Sequence, residues 1–449
     1  MGRGARAPNR AVGAAASSAM TRARHKATVA RIVAQRGSRP PSRSRYNARM
    51  ISVSDGQARI LAQVTTVASP ELIPIGRGLG RVTAENIRAA MDVPPTDNSA
   101  VDGYAVGSGD IPAAGRRDLV VVAELAAGGV FPDTLQPGQA LRIMTGAPMP
   151  AGADTVYPQE IVERQGPRVS VPHIQNGANV RERGEDVKAG DVVVPAGTVL
   201  RPQELGVAAS LGLAQLLVRQ RPRVAVLSTG DEVAEPGAER KPGQIYDSNR
   251  FALKSLVEAA GGQVTDYGIV PDVSDELHAR LREAAASAEI VLSSGGVSVG
   301  EYDLVKAVLQ EVGSTDFWQV AMQPGRPIAV GHIGATHFFG LPGNPVACML
   351  TFHLFVRPVL WKLLGRRDLF GPRFHAVTVE PMRKKVGRRE FKRGILAYAG
   401  ERWQVRTTGP QGSGILTSMT QANCFIVLEE ERADVAAGET VWVEPFGAV

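Results

Sequence analysis

A loop rich in glycine and serine, Ser293–Ser–Gly–Gly–Val–Ser–Val–Gly300, follows the apolar segment Ile290–Leu292. Glycine lets the backbone approach an anion closely, and serine hydroxyls and backbone N–H groups can then surround a phosphate. Asp303 follows the loop and could hold a cation. The residue order matches neither the GxGxxG dinucleotide motif nor the Walker A motif. The loop therefore predicts a phosphate site of another kind, with a purely structural turn as the equal alternative.

Oxygen-bearing side chains follow a second apolar segment, in Ser228–Thr–Gly–Asp–Glu232 and then in Gly243–Gln–Ile–Tyr–Asp–Ser–Asn249. Such groups suit Mg²⁺, which usually takes one or two carboxylates and completes its shell with water and substrate phosphate. The alternative is that an aspartate here caps a helix. The side chains that could converge at one sheet edge are Asp231, Glu232, Asp247 and Asn249.

A third motif, Gly340–Leu–Pro–Gly–Asn–Pro345, combines two prolines with two glycines. This composition predicts a rigid turn that exposes backbone donors, or an ordinary turn before a helix.

Three polar loops lie in the part of the chain before these motifs. Thr145 stands at a strand end beside a glycine turn, and Arg181 stands among carboxylates. Because functional groups collect on loops held by a scaffold, the three loops together predict a second surface facing a polar ligand. The loops are Asn98–Ser–Ala–Val–Asp–Gly–Tyr–Ala105, Arg142–Ile–Met–Thr–Gly–Ala–Pro148 and Asn179–Val–Arg–Glu–Arg–Gly–Glu–Asp186.

The elements that must position the first three motifs are apolar strands alternating with helices over residues 223–349. This alternation predicts a doubly wound parallel α/β domain, in which ligands bind outside the carboxyl ends of the strands. The predicted strands are Val224–Ser228, Val264–Val270 and Ile290–Leu292, and the predicted helices are Phe251–Ala260 and Asp275–Ala286.

The rest of the chain has other patterns. Short apolar runs between turn residues predict a β-rich module over residues 101–194, and the residues after Phe374 predict a small β-barrel or sandwich. Helical spacing predicts helices over Ser52–Ala68, with Ser54 and Gln57 as a capping box, and over Pro202–Leu213. The predicted fold class is α/β plus β in a multidomain chain.

Composition narrows the function. The 449 residues suggest about three domains, and no stretch approaches the ~20 apolar residues of a membrane helix. Cys348 and Cys424 form no CxxC pair, which fits two buried thiols in a reducing, cytoplasmic compartment. The chain has no HExxH, CxxC or GxSxG motif, and its seven histidines are scattered. These features argue against a zinc site or a histidine-based triad.

The net charge of +7 is a property of the N-terminal tail. Residues 1–49 hold eleven Arg and one Lys without Asp or Glu, which leaves 39 basic against 44 acidic residues in the remainder. The main part of the chain therefore predicts no nucleic-acid partner. The tail itself predicts disorder. A start codon assigned too early, with Met50 as the real start, an interaction tail and a transit peptide are its three interpretations.

These motifs, in this order, resemble the molybdopterin molybdenumtransferase family, which contains bacterial MoeA and the gephyrin E domain. The resemblance runs from about Met50 to Phe446. The matching segments are NSAVDGYA (98–105), RIMTGAP (142–148), NVRERGED (179–186), STGDE (228–232), GQIYDSN (243–249), SSGGVSVGEYD (293–303), PGRP (324–327), GLPGNP (340–345) and GPQGSG (409–414).

The resemblance implies a domain organisation and an assembly. After the tail (1–49), it implies a split extended domain (50–97 and 187–221), a β-rich domain (98–186), a molybdopterin-binding α/β domain (222–372) and a C-terminal β-barrel (373–449). The α/β domain would be like the pterin-adenylating proteins. The resemblance also implies a homodimer, with the active cleft between the α/β domain of one subunit and the β-rich domain of its partner.

The implied reaction takes adenylylated molybdopterin and molybdate, with Mg²⁺, and yields the molybdenum cofactor and AMP. Implied partners are the molybdopterin adenylyltransferase and molybdoenzymes, without nucleic acid or membrane. Such chemistry needs an anion cradle, a divalent cation and donors for an oxyanion.

The resemblance assigns roles to residues of both modules. Gly295, Gly296, Ser298 and Gly300 would cradle phosphate, and Glu232 and Asp303 would bind the metal. The implied catalytic residues are Asp102, Thr145, Asp186, Glu232, Asp272 and Asp303. The further implied substrate-binding residues are Arg181, Ser228, Thr229, Asp247, Asn249, Arg326, Pro342, Asn344, Arg393 and Ser413.

The chain departs from the family pattern around the PGxP turn. Family members tend to carry lysines there, whereas this chain has Gln319 and Gln323, which donate hydrogen bonds without charge. Arg326 keeps one cation in the turn. Two other functions stay open: a molybdopterin adenylyltransferase, and a non-catalytic pterin-binding or scaffold paralogue. Molybdate and tungstate are equally compatible with the sequence.

Overall fold

A computed structural model describes residues 50–65, 67–271, 273–295, 311 and 313–447. The chain divides into two compact units, residues 1–50 and 51–449, and all the elements named here belong to the second.

The central sheet is mixed rather than wholly parallel. Four parallel strands lie side by side, in the order Gln263–Val270, Arg223–Thr229, Ile290–Ser294 and Thr336–Leu341. Two antiparallel strands, Pro327–Ile333 and Ser314–Val320, then extend it. Three of the parallel strands, Arg223–Thr229, Ile290–Ser294 and Thr336–Leu341, are largely buried because helices cover both faces, whereas the edge strand Gln263–Val270 is partly exposed. We call these six strands the α/β sheet.

The helices of this sheet bury one apolar stripe each. Leu253 and Val257 pack into one core, and Leu277 and Leu281 into the core of the opposite face. The helical elements around the sheet are Val53–Gln63, Asn249–Ala259, Ser274–Ser287, Pro345–Thr351, the π-helix Phe352–Val356 and Arg357–Leu363.

The first helix corrects two predictions. It ends at Gln63 instead of Ala68, and its cap is Ser52, whose Oγ accepts a hydrogen bond from Asp55 N (3.0 Å). Gln57 belongs to no capping box, because its amide donates to the carbonyl oxygen of Leu354 (2.9 Å). The Gln57 side chain therefore makes a long-range hydrogen bond in place of the predicted capping contact.

The continuous helical run Pro345–Leu363 is long and apolar enough to cross a membrane by length and composition alone. This corrects the expectation that no stretch comes near that length. Of an 18-residue window of this run, 72% is buried inside the protein. We therefore call the run the core helix of the α/β sheet.

The β-rich part forms a six-stranded sheet with its own apolar core around Tyr104, Leu141 and Val169. Its strands, in spatial order, are Thr155–Pro158, Gly103–Val106, Gln139–Ile143, Arg116–Leu125, Arg168–Pro172 and Glu163–Gln165. A short ladder of Asn98–Ser99 with Val180–Arg181 and the 3₁₀ turns Ser108–Asp110 and Gln159–Ile161 complete it.

Two further ladders join segments from either side of the β-rich sheet in sequence. Pro70–Pro74 pairs with Gln215–Arg219, and Ile87–Arg88 pairs with Val192–Val194. The strand Val192–Val194 therefore pairs outside the β-rich sheet. The 3₁₀ turn Ile75–Arg77 and the helix Pro202–Ser210, which stops short of the predicted Leu213, pack with them.

The C-terminal strands close into a five-stranded barrel, which confirms one of the two predicted forms. Arg389–Ala399 pairs on both sides, with Arg402–Thr407 and with Cys424–Leu428, and this double pairing closes the ring. The ring order is Arg389–Ala399, Arg402–Thr407, Phe374–Thr378, Thr440–Pro445 and Cys424–Leu428, with Met322–Gln323 added outside and the helix Thr417–Gln421 beside it.

Candidate functional site

Three buried hydroxyls lie where two parallel strands of the α/β sheet end. Ser228 and Thr229 close one strand, and Ser293 lies on the neighbouring strand in register with Leu227. Among the described residues, none of the three hydroxyl oxygens has a hydrogen-bond partner. Since an unsatisfied buried polar group costs about 1–3 kcal/mol, native proteins rarely keep one without a ligand or water. The three hydroxyls therefore have free capacity to bind water or a polar ligand.

Asn249 connects the strand ends to the neighbouring turn. Its Nδ2 donates to Ser294 Oγ and to the carbonyl oxygen of Gly343, both at 2.8 Å, and the side chain is buried. One amide thus joins the three motifs that follow the strands. We call Ser228, Thr229, Asn249, Ser293 and Ser294 the strand-end site. Ser293 and Ser294 belong to the loop predicted to surround a phosphate, although no individual role was predicted for either residue.

Gly295 continues the second strand in a conformation that requires glycine. Its φ is +92°, and a Cβ would lie 2.8 Å from the carbonyl oxygen of Thr229. The backbone can therefore turn tightly beside the strand-end site. The other residues predicted for this loop and for the metal, Gly296, Ser298, Gly300, Asp303 and Asp272, lie outside the described residues.

The Gly340–Pro345 turn and the barrel meet at the start of the core helix. Pro342 is buried, and Asn344 is the exposed residue before helix Pro345–Thr351. The backbone N–H of Val346 donates to the carbonyl oxygen of Ser413 (3.1 Å). The barrel loop 409–414 is thereby held against the α/β sheet, next to the strand-end site.

Arg393 holds this barrel loop in place through hydrogen bonds. The side chain is fully buried, its Nε donates to Ser418 Oγ and its Nη2 donates to the Gly412 carbonyl oxygen, both at 3.0 Å. Its Nη1 has no partner among the described residues, and burial lowers the pKa of the guanidinium. Arg393 thus positions the loop that carries Ser413.

The PGRP turn packs against the core helix from the other side. Gly325 has φ +91°, and a Cβ there would lie 2.9 Å from Thr351 Oγ1. Gln323 pairs with Glu390 in the barrel, and Arg326 is exposed. Gln319 pairs with Pro327 in the α/β sheet. The two glutamines therefore stand where the sheet passes into the barrel.

Asp247 is used within the protein and is not available for a metal. Its carboxylate accepts hydrogen bonds from Arg250 N (3.0 Å) and Arg250 Nε (2.9 Å), so the helix-capping alternative holds for this residue. Glu232 is exposed beyond the strand end. No group of three or more His, Cys, Asp or Glu able to hold a metal occurs among the described residues. The predicted convergence of Asp231, Glu232, Asp247 and Asn249 at this sheet edge therefore stays a prediction, with the Asp247 carboxylate held by Arg250.

Asp102 and Thr145 meet in the β-rich sheet. The Asp102 carboxylate accepts hydrogen bonds from Thr145 N and Thr145 Oγ1, both at 2.7 Å. The backbone bond, then the hydroxyl bond, lower the pKa of Asp102, which therefore stays ionised. The structure thus brings together two residues that lie 43 positions apart in sequence.

The remaining predicted residues of the β-rich part are exposed. Arg181 pairs through its backbone with Asn98, and Asp186 N donates to the Val93 carbonyl oxygen. The guanidinium of this loop that forms an ion pair is Arg183, whose Nε lies 2.5 Å from Asp92 Oδ2. The substrate-binding role predicted for Arg181 stays a prediction, and Arg183, although it forms this ion pair, is also exposed.

The Asp102–Thr145 pair and the strand-end site are separate within one chain. No hydrogen bond or ion pair between described residues joins them.

A cavity of about 870 Å³ lies at the opposite end of the α/β sheet. Its lining includes Arg223, which begins a parallel strand, Glu289, which precedes one, and His337, which lies near the start of another. Open α/β sheets bind ligands outside the carboxyl ends of their strands. We therefore place the functional site at the strand ends and not in this cavity.

Comparison with known proteins agrees with the arrangement of the motifs. Three family models match: the MoeA N-terminal region (domain I and II) at residues 51–212, a probable molybdopterin binding domain at 225–362, and the MoeA C-terminal region (domain IV) at 375–446. A molybdopterin molybdenumtransferase of Haemophilus influenzae is 41% identical, over 88% of this chain and 99% of that protein. Molybdopterin molybdenumtransferase 2 of Mycobacterium tuberculosis is 37% identical, over 88% and 99%.

Solved structures lead to the same family. The molybdopterin biosynthesis moeA protein of Pyrococcus horikoshii is 31% identical with a TM-score of 0.78, and the match covers 88% of this chain and all of that one. The three models together cover most of the chain, and the relatives match over almost their whole length. The chain belongs to the MoeA family of molybdopterin molybdenumtransferases.

Proposed function

We propose that this enzyme inserts molybdenum into adenylylated molybdopterin and releases AMP. In this reaction water adds across the P–O–P bond of the substrate, AMP leaves with one phosphorus, and the pterin keeps its own phosphate. Two Mo–S bonds form as the two dithiolene thiols replace one oxide of molybdate, which leaves as water with their two protons. The observation that supports the proposal is the group of buried hydroxyls of Ser228, Thr229 and Ser293 at the strand ends, which have no hydrogen-bond partner among the residues that the structure describes. Neutral donors held before the ligand arrives are what an anion cradle requires.

The proposed role of each residue depends on where it lies in the structure. The hydroxyls and the backbone beside Gly295 would bind phosphate oxygens, and Asn249 would hold the two strand-end segments at a fixed distance. Arg326 and Ser413, at the barrel side, would donate to the molybdate oxyanion. Gln319 and Gln323 leave this side with less positive charge than lysines would, so we expect weak affinity for molybdate.

Asp102 would act from the β-rich sheet. Its lowered pKa keeps it a carboxylate, able to accept a proton from water or from a substrate group. We propose that it reaches the strand-end site of a second subunit, because within one chain the two groups are not in contact. A homodimer with a shared cleft follows from that placement.

Mg²⁺ fits this site only as a cation bound mainly by substrate. Magnesium ions in proteins commonly use one or two carboxylates together with water and substrate phosphates. Glu232 is the exposed carboxylate at the strand end that would hold it, together with Asp303 outside the described residues. When bound, Mg²⁺ would offset the negative charge of the phosphoanhydride.

We further propose a cytoplasmic enzyme with the four-part division of the chain after its tail. Exchange with the adenylyltransferase that makes its substrate and with molybdoenzymes that take its product would follow from the reaction. Cys348 and Cys424 are both free and buried, which suits a reducing compartment.

The test is AMP release by the full chain from adenylylated molybdopterin, with and without molybdate. Release that needs Mg²⁺ and rises with molybdate supports the proposal. Consumption of ATP with molybdopterin instead would favour the adenylyltransferase. Substrate binding without release of AMP would favour a non-catalytic paralogue and contradict the catalytic roles.

A further inference from the structure

A second cavity lies away from the strand-end site, between the core helix and the barrel. It has a volume of about 190 Å³. Its charged lining comes from separate parts of the chain: Arg357 and His353 from the core helical run, Arg373 from the segment before the barrel, and Arg389 and Glu444 from barrel strands. We call it the arginine cavity.

The arginine cavity has more positive than negative charge. Glu444 is the acidic residue among its lining groups, against three arginines. Outside the lining, Glu430 pairs with Arg389 (3.1 Å), and Glu429 reaches Arg373 only at 3.4 Å. Among the described residues, no carboxylate lies within salt-bridge distance of Arg357. This guanidinium is therefore the least compensated cation of the group.

The hydrogen bonds of these arginines are incomplete. The Nε atoms of Arg357 and Arg373 are buried and have no hydrogen-bond partner among the described residues. Arg357 Nη2 lies 3.0 Å from His353 Nε2, and Glu444 Oε2 lies 3.4 Å from the same nitrogen, so this imidazole nitrogen is shared between a guanidinium and a carboxylate. Burial lowers the pKa of His353 and lowers that of Arg357 to about 10, while the nearby Glu444 opposes both shifts.

The backbone beside the cavity is also unusual. His353 lies in the π-helix Phe352–Val356, and Arg357 follows directly. π-helical turns are rare and are frequent at functional sites, because they shift side chains off the regular helical stripe. Here the shift places the imidazole and the guanidinium together on the cavity wall.

We propose that the arginine cavity binds a small doubly charged oxyanion, such as phosphate or sulfate. A buried cation is costly unless it is paired, and guanidinium groups bind tetrahedral oxyanions through paired N–H donors. The volume is sufficient, since one water molecule needs only about 10–15 Å³ of such space. The N-terminal tail cannot supply the anion, because residues 1–49 contain no Asp or Glu. The bound anion would join the core helix to the barrel.

The experiment is thermal unfolding of the full chain over a phosphate series at constant ionic strength, with chloride as the replaced ion. A ligand that binds only the folded protein raises the Tm progressively as its concentration passes Kd. We expect a saturable effect in the wild type, and phosphate affinity at least about tenfold weaker in Arg357→Met, a change of about 1.4 kcal/mol.

Arg366→Met is the matched control. Arg366 stacks on the same Trp361 ring as Arg357, at 3.7 Å against 4.6 Å, but does not line the cavity. Its substitution should leave phosphate affinity unchanged. The same loss in both arginine variants would overturn the proposal, since it would trace the effect to Trp361 packing or general charge.

Glu444→Gln tests the proposal with the opposite sign and does not depend on Arg357→Met folding. Removing the acidic group of the cavity should tighten phosphate binding about tenfold by removing a nearby like charge. Phosphate bound at the strand-end site instead would be unaffected by Arg357→Met and Glu444→Gln, which would overturn the proposal. AMP in place of phosphate separates the sources when it is tested on both the wild type and Arg357→Met, because AMP can also bind at the strand-end site. Stabilisation by AMP that Arg357→Met weakens would show a nucleotide phosphate in the cavity. Stabilisation by AMP that Arg357→Met leaves unchanged, while stabilisation by phosphate is weakened, would show a free oxyanion there.

Discussion

Two groups of buried polar side chains meet at residues 247–250 and differ in how their hydrogen bonds are used. Arg250 is paired by Asp247, by Asp266 (Nη1–Oδ1, 2.6 Å) and by Glu235, and we call these four residues the Arg250 cluster. Although burial lowers its pKa, the carboxylates together hold the pKa of Arg250 above its usual value. The strand-end site, which includes the adjacent Asn249, instead has three hydroxyls that find no hydrogen-bond partner in the described part of the chain.

The difference separates a group that stabilises the fold from a group that awaits a ligand. A buried charge with every partner inside the protein has no capacity left for substrate, whereas an unpartnered hydroxyl costs stability until something binds. Mutations in the Arg250 cluster should therefore act on unfolding, and mutations in the strand-end site mainly on binding and AMP release.

Arg250→Met should give the largest effect. It would leave Asp247 buried without its cation, and removing one partner of a buried pair typically costs about 3–5 kcal/mol. Urea unfolding would measure the loss. Lys254→Met is the control, because Lys254 also pairs with Asp266 (2.6 Å) but at a partly exposed position, where such a pair contributes about 0–1 kcal/mol. Equal losses in the two variants would contradict the separate role of the cluster.

Asn249→Ala should give the next largest effect and should lower both the free energy of unfolding and the rate of AMP release. It removes two hydrogen bonds and leaves their acceptors unsatisfied, at a cost of about 1–3 kcal/mol. AMP release should fall with it, since the two strand-end segments lose their link. Asn249→Asp keeps the size of the side chain but cannot donate, so it should be as damaging as alanine. Normal AMP release in the aspartate variant would show that the donated hydrogen bonds do not matter.

Part of this comparison could be predicted from the sequence. Three of the six strands of the α/β sheet are predicted to within about two residues, because their apolar residues favour strands between the predicted helices. Gly295 and the LPGNP turn were also located, since glycine and proline restrict the backbone in known ways. The sequence gives two uses for Asp247, capping or metal binding, and only the structure shows that Arg250 occupies it.

The features that the sequence does not predict depend on contacts between segments that are distant in the chain. Arg250 looks like a surface residue of an amphipathic helix, and it is buried because Asp266 and Glu235 approach from other elements. The antiparallel strands Pro327–Ile333 and Ser314–Val320 carry no pattern that distinguishes them from parallel ones. The arginine cavity joins residues 353 to 444, a separation that no local pattern reports.

Ser293→Ala should change binding without weakening the fold. Removing a hydroxyl that has no hydrogen-bond partner among the described residues should leave the free energy of unfolding unchanged or slightly raised, while substrate affinity falls about fivefold for one lost hydrogen bond of about 1 kcal/mol. Thr336→Val is the matched control, because Thr336 Oγ1 lies within hydrogen-bond distance of the carbonyl oxygens of Ala285 and Ala288, at 2.8 and 2.9 Å, at the other end of the sheet. Thr336→Val should lose stability and keep substrate affinity. The reverse result would remove the basis of the comparison.

Asp266→Asn should give the smallest effect, and only in a defined pH range. Although burial raises the pKa of Asp266, hydrogen bonds from Lys254 and Arg250 lower it from 3.8 to about 2. A carboxyl with a depressed folded pKa stabilises the protein above its unfolded pKa, and the contribution is lost as the pH falls from about 3.8 to about 2. At neutral pH the variant should lose about 1 kcal/mol or less, because the ion pairs are partly exposed. Its unfolding free energy should also depend less steeply on pH below 4. Substrate affinity should be the same as in the wild type at neutral pH, because no group of the strand-end site titrates with Asp266. A drop in affinity there would mean that the Arg250 cluster and the strand-end site are one functional unit.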